Sequence, residues 1–173
     1  PAKEMTEKFT VVLKAHIALA SARLPQGVSG NAADIICRSV MWRRGLDYKH
    51  GTGHGVGCFL NVHEGPQNFS LHASSYPLAE NMIVSIEPGY YRENAFGIRI
   101  ENLARIVVDE ESGMLKFAVL TLAPLDKRLI DKYLLTDEEI SWLNDYHRDV
   151  LQKVSPYLTE EEKIWLKEAC SSL

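Results

Sequence analysis

Met82-Ile83-Val84-Ser85-Ile86-Glu87-Pro88-Gly89-Tyr90-Tyr91 and, after a short polar break, Gly97-Ile98-Arg99-Ile100-Glu101-Asn102 decide how this chain is read. Both runs are rich in β-branched residues, and the polar break between them suits a turn. A hairpin turning near Asn94 sets Glu87 opposite Glu101, with Cβ atoms about 4.5–5.5 Å apart. Alternation then puts Ser85, Glu87, Arg99 and Glu101 on one face. Two carboxylates directly opposed repel, so something positive must offset them: Arg99, a shared proton or a metal ion. Taken alone, the pair also reads as a solvated hairpin face bearing a Glu–Arg pair, since most strand carboxylates are surface groups.

Upstream lies His50-Gly51-Thr52-Gly53-His54-Gly55-Val56-Gly57, followed by Asn61-Val62-His63-Glu64-Gly65-Pro66. Three of the six histidines fall in this stretch. His50 and His54 have helical zinc-motif spacing, but alternating glycines oppose a helix by about 1 kcal/mol each. In an extended chain, residues four apart lie about 13 Å from each other along one face. Metal–nitrogen bonds are only about 2.0–2.1 Å, so both rings cannot reach one ion from a regular strand. One histidine is then a ligand and the other lines the same groove. The plainer reading is a glycine-rich turn with incidental histidines. A histidine loop and an opposed carboxylate pair together suit a divalent ion such as Mn, Co, Zn or Fe. A bridging carboxylate favours two ions about 3.5–4 Å apart. Three side chains are few for two ions, so the visible site is mononuclear or incomplete.

The flanking sequence is helical. Residues 3 to 23 form an amphipathic helix in which Phe9, Val12, Leu13, His16 and Ile17 recur near a 3.6-residue period. A loop at Leu24 to Gly30 leads to a second helix from about Ala32 to Arg44. Asn31 is its expected cap, and Ile35, Ile36, Val40 and Met41 its apolar side. Pro66 to Pro77 is irregular, and Met82 to Ile86, Gly97 to Val108 and Leu115 to Leu122 are expected strands. Thr136 to Glu139 and Thr159 to Glu162 each spell a capping box. Helices, an antiparallel sheet, then helices is an α+β pattern.

The chain has 173 residues, room for one ordinary domain. Its net charge of −4 argues against nucleic-acid binding, and no apolar run approaches the roughly 20 residues that span a bilayer. Cys37, Cys58 and Cys170 form neither a zinc pattern nor an even disulfide set, which favours a reducing, cytoplasmic setting. Cys58 is expected to be small and buried, His16 and His72 to be core-edge or surface groups, and His147 to be solvated.

The histidine loop, Ile86-Glu87-Pro88-Gly89-Tyr90-Tyr91, Gly97 to Asn102 and the tail Leu135 to Asn144 together resemble the eukaryotic-type Xaa-Pro aminopeptidase, aminopeptidase P. That family belongs to the pita-bread metallopeptidases, with prolidase, methionine aminopeptidase and creatinase. The resemblance implies the C-terminal part of a pita-bread fold, a curved antiparallel sheet packed with helices, over 1–125, and a C-terminal helical extension over 126–173. It implies that His54, Glu87 and Glu101 are metal ligands and that Glu87 moves protons. His50 and His63 would line the substrate cleft and bind or polarise the peptide, and Arg99 would support the second glutamate and the substrate.

The implied activity is release of the N-terminal residue from peptides with proline second. It would use two divalent ions, Mn first, with Zn or Co as alternatives. The family's further ligands are two aspartates in an upstream Gly-Thr-Thr-Asp-like segment that has no counterpart in this sequence. The chain is therefore expected to be a C-terminal fragment of the catalytic domain, inactive alone and binding one ion or none. The competing functions are a non-catalytic pita-bread binding module and a prolidase-like dipeptidase. Self-association or a homodimer is expected through an exposed sheet face or through the helices from Thr136 onward. Trp142, Leu143, Tyr146, Val150, Ile164 and Trp165 form apolar stripes there, which equally suit packing within one chain.

Overall fold

The computed structural model describes residues 1–59, 61–72 and 75–173. They form two compact units, one of residues 11–121 and one of residues 1–10 with 122–173.

Residues 11–121 carry the sheets. Helix α1 (Lys3–Ala20) ends inside this unit, and Val11, Val12, Leu13, Ala15, His16, Ile17 and Leu19 are all buried. His16 is thus a core group. Burial lowers its pKa to about 4, against the opposing influence of backbone hydrogen bonds at Ile100 and Ile86. Helix α2 (Gly30–Trp42) follows a loop and begins after Ser29 rather than Asn31, and the Ser29 side chain makes no capping hydrogen bond. The Asn31 amide instead donates to the Leu71 carbonyl at 2.9 Å. The buried side of α2 is Ala33, Asp34, Cys37, Arg38 and Met41, while Ile35 is exposed. The expected apolar side is displaced because a charged pair occupies the inward positions.

Two short strands, β1 (Gly53–His54) and β2 (Asn68–Phe69), pair antiparallel. Strands β3 (Ile83–Ile86), β6 (Asn102–Val108) and β7 (Leu115–Val119) make an antiparallel sheet in the order β3-β6-β7. A separate hairpin joins β4 (Gly89–Arg92) to β5 (Phe96–Arg99) across Asn94, whose φ is +55°. The expected single strand from Gly97 to Val108 is therefore two. Pro88 has no N–H to give the ladder, so pairing stops between β3 and β4. The freed Glu87 N–H donates instead to the Thr52 carbonyl at 2.7 Å. Register survives the break, with Ile86 opposite Asn102 on one side and Gly89 opposite Arg99 on the other. Glu87 and Glu101 fall opposite each other between these pairs.

The second unit contains helices α3 (Asp137–Val154) and α4 (Glu160–Ala169). Both open on complete capping boxes, Thr136 with Glu139 and Thr159 with Glu162. Leu143, Tyr146, Val150 and Leu166 are buried. The Tyr146 hydroxyl donates to the Ala123 carbonyl at 2.7 Å, and the Asp131 N–H donates to Thr10 Oγ1 at 2.8 Å. His147 is fully buried and not solvated, and its Nε2 accepts from the Leu125 N–H at 3.1 Å. Trp142 stacks on Tyr146, whereas Ile164 and Trp165 are exposed, so the anticipated stripe packs on α3 and not on α4. Among the described residues no helix is long and apolar enough to cross a membrane.

Candidate metal centre

The glycine-rich loop is shaped by what lies against it. A side-chain carbon at Gly53 would overlap the Ser85 carbonyl, and one at Gly55 would overlap the Glu64 carbonyl. Only glycine permits that approach of two backbones. The chain then doubles back, with the Gly57 N–H donating to the Asn61 carbonyl and the Glu64 N–H to the Gly55 carbonyl, at 2.8 and 2.9 Å. This fold-back brings the His63 ring to 4.1 Å from the His54 ring, centroid to centroid. A cleft of about 390 Å³ results, lined among others by His50, His54, His63, Glu87 and Arg99.

His54 and Glu87 meet in it. His54 Nε2 stands 3.2 Å from Glu87 Oε1. The Nδ1–H of His54 donates to the Gly55 carbonyl at 2.8 Å, which turns the Nε2 lone pair toward the carboxylate. Two acceptors facing at that distance repel unless a proton or a cation stands between them. Ser85 sets both: its hydroxyl accepts from the His54 N–H and donates to Glu87 Oε1, each at 2.9 Å. A ring whose far nitrogen is bound to a backbone carbonyl, beside a hydrogen-bonded carboxylate, offers two of the donors a divalent ion takes. His54 and Glu87 therefore suit a metal as part of a larger ligand set.

Glu101 is not drawn into that pair. Its side chain is exposed, and among the described residues no three His, Cys, Asp or Glu side chains are gathered closely enough to hold an ion. The positive charge beside the carboxylates is Arg99, 3.7 Å from Glu87 Oε2. Burial lowers the Arg99 pKa, but its hydrogen bond to Tyr91 and the charges of Tyr91, Glu87 and Glu101 outweigh that and raise it.

The two cleft histidines that stand beside this pair differ in their freedom. His63 is exposed. His50 has both nitrogens engaged, Nδ1–H donating to the Gly51 carbonyl at 2.7 Å and Nε2 accepting from the Tyr91 hydroxyl at 2.8 Å. Tyr91 in turn accepts from Arg99 Nε at 2.9 Å. Ser85, Tyr91 and Thr52 hydrogen-bond to these groups without having been singled out as site residues. Ser85 carried a sequence signal in its place on the Glu87 face, and Thr52 and Tyr91 in lying within the quoted motifs. Cys58 is exposed and not buried, because the fold-back turns at that point of the loop.

Known proteins resemble this chain over most of its length. Residues 1–109 match metallopeptidase family M24 and residues 113–173 match the C-terminal region of peptidase M24. Aminopeptidase P1 of Lotus japonicus is 48% identical over 93% of this chain and 26% of its own length. The crystal structure of X-prolyl aminopeptidase from Caenorhabditis elegans, a cytosolic enzyme with a di-nuclear active site, is 43% identical. It matches with a TM-score of 0.93 over all of this chain and 29% of its own. Prolidase from Pyrococcus furiosus, 30% identical, matches with a TM-score of 0.58 over 68% of this chain and 33% of its own. The chain thus spans between a quarter and a third of the length of these relatives. With most of its residues matched by the family and its whole length superposing on an X-prolyl aminopeptidase, the chain belongs to metallopeptidase family M24 and has the α+β pita-bread architecture of that family.

Proposed function

We propose that the protein containing this chain is a metal-dependent aminopeptidase that releases the N-terminal residue from peptides with proline at the second position. The observation that carries the reading is His54 Nε2 facing Glu87 Oε1 at 3.2 Å, both aimed by Ser85 in a histidine-lined cleft. The relatives named aminopeptidase P and X-prolyl aminopeptidase support proline specificity, and the lower and partial match of a prolidase disfavours a dipeptidase. An intact facing pair also disfavours a non-catalytic binding module.

His54, Glu87 and Glu101 are the proposed ligands, for two divalent ions with Mn first. Carboxylates beyond those of this chain are needed to complete a two-ion set. Divalent ions in such a site supply Lewis-acid polarisation of the scissile carbonyl and a water acidic enough to act near neutral pH. Glu87, held by Ser85 on Oε1 and near Arg99 on Oε2, is placed to take and return a proton. His63, exposed on the cleft with its ring 4.1 Å from that of His54, would bind the peptide around the scissile bond. His50 presents an acceptor tied to Tyr91 and lines the same wall. Arg99 keeps positive charge beside both glutamates. Residues 1–125 are read as catalytic-domain sequence and 126–173 as a helical extension. The cytosolic relative supports a cytoplasmic location.

In the full-length protein, Glu87→Ala or His54→Ala is expected to abolish Xaa-Pro hydrolysis and to weaken Mn²⁺ uptake measured by calorimetry. Unchanged turnover overturns the assignment. We also read the exposed Ile164 and Trp165 on α4 as a self-association surface. Light scattering that shows a strict monomer at high concentration overturns that.

A further inference from the structure

Beneath the cleft lies a charged pair that the peptidase reading does not use. Asp34 and Arg38 stand four apart on α2, and both are buried, at 0% and 3% exposure. Arg38 Nε donates to Asp34 Oδ2 at 2.7 Å. Its Nη1 donates to the Tyr48 carbonyl at 2.7 Å and to Asp47 Oδ1 at 2.8 Å, and its Nη2 to the His50 carbonyl at 2.6 Å. The guanidinium lies over the Tyr48 ring, 4.2 Å from its centroid, and that ring lies 4.9 Å from the His50 ring. On the other side of the pair, Asp34 Oδ1 accepts from the Thr52 hydroxyl at 2.6 Å, and Thr52 Oγ1 accepts from the Tyr48 hydroxyl. Thr52 then passes the constraint onward, because its carbonyl receives the Glu87 N–H.

A buried ion pair is a poor source of net stability, since apolar residues of the same volume do as well or better. This one instead spends its hydrogen-bonding capacity on the backbone of residues 48–52. The planar fork matters here: one guanidinium reaches two carboxylates and two carbonyls at once, four acceptors against the three N–H donors of an ammonium. Both ends of the segment lead into the cleft, through His50 and, by way of Thr52, through Glu87.

We propose that Asp34 and Arg38 are positioning residues of the cleft, fixing where His50 and Glu87 stand without touching substrate or metal. The effect on turnover rests on the peptidase reading; the effect on His50 does not. Displacement of a reacting group by about 1 Å costs on the order of a hundredfold in rate, so a loosened segment acts on kcat before it acts on binding.

Arg38→Lys in the full-length protein is the discriminating variant, because it keeps the charge beside Asp34 and removes the fork. Three quantities are read: the thermal midpoint, kcat and KM on an Xaa-Pro peptide, and the imidazole ¹⁵N signals of His50. Positioning gives a folded protein with kcat lowered at least tenfold and KM within about twofold. It also gives His50 signals that leave the single tautomer enforced by Gly51 and Tyr91. Wild-type kcat with wild-type His50 signals overturns the proposal, as does a fall in kcat that only tracks the fraction unfolded. If Arg38→Lys does not fold, the apolar pair Asp34→Leu with Arg38→Met is measured in the same way. Its unchanged His50 signals, or a second failure to fold, also overturn the proposal. A wild-type protein that hydrolyses no Xaa-Pro peptide overturns the peptidase reading instead, and the His50 signals alone then decide the role of the pair.

Discussion

The loop from His50 to Phe69 and the helices α3 and α4 are built by opposite means. Each helix starts where a threonine and a glutamate three residues on exchange hydrogen bonds. Everything needed lies within one turn of chain. In the loop several fixed points have distant partners: Thr52 binds Asp34, the His54 N–H binds Ser85, and the Glu87 N–H comes to Thr52. Local coding makes an element easy to recognise and tolerant of single changes. Non-local coding places side chains more finely, and one wrong atom disturbs several contacts.

That contrast can be broken most forcefully at Gly53. Gly53→Ala drives a methyl into the Ser85 carbonyl, and we expect a loss of more than about 3 kcal/mol in denaturant unfolding, with the His54–Glu87 approach disrupted. A loss below about 1 kcal/mol would show that the two backbones separate easily. His16 gives a pH-dependent test of the same unit. Its folded pKa of about 4 lies below the ordinary 6.5, so the fold favours the neutral ring. Stability is full above pH 6.5, declines as pH falls through that window and stops declining once pH is below about 4. The integrated loss is about 3 kcal/mol. A midpoint flat between pH 7 and 4, or a His16→Gln variant with an unchanged slope, would contradict this.

The helices should respond far less. Thr136→Ala and Thr159→Ala each remove one capping side chain and are expected to cost about 1 kcal/mol, read from thermal unfolding. At the smallest end, Arg148 and Asp145 pair on the exposed face of α3. Arg148→Ala is expected to shift stability by no more than about 0.5 kcal/mol. An Arg148 effect larger than that of Thr136 would reverse the view that the caps define these helices.

The same contrast explains what could be read from the residues alone. Both capping boxes and the register of the hairpin at Asn94 were legible, because turn chemistry and alternation of side chains act over a few residues. Residue type carried the site only as far as one of His50 and His54 near Glu87; the family resemblance singled out His54. The inward turn of Asp34 and Arg38 was not legible, because periodicity ranks Ile35 and Ile36 as the buried positions and carries no information about carbonyls waiting ten and twelve residues beyond Arg38. Asn31 is not the cap because α2 begins one residue before it, and its amide donates to the Leu71 carbonyl. His147 reads as solvated from its polar neighbours in sequence, yet the Leu125 N–H fixes it in the interior.

The Ser85 hydroxyl has a mechanical consequence of its own. It ties one strand to the amide of His54 and to the carboxylate of Glu87 at the same time. A drift of that strand is therefore shared by both tips, and their separation is shielded from motion that would pull apart two independently anchored groups. The gap between imidazole and carboxylate behaves as a gauge with a single reference point.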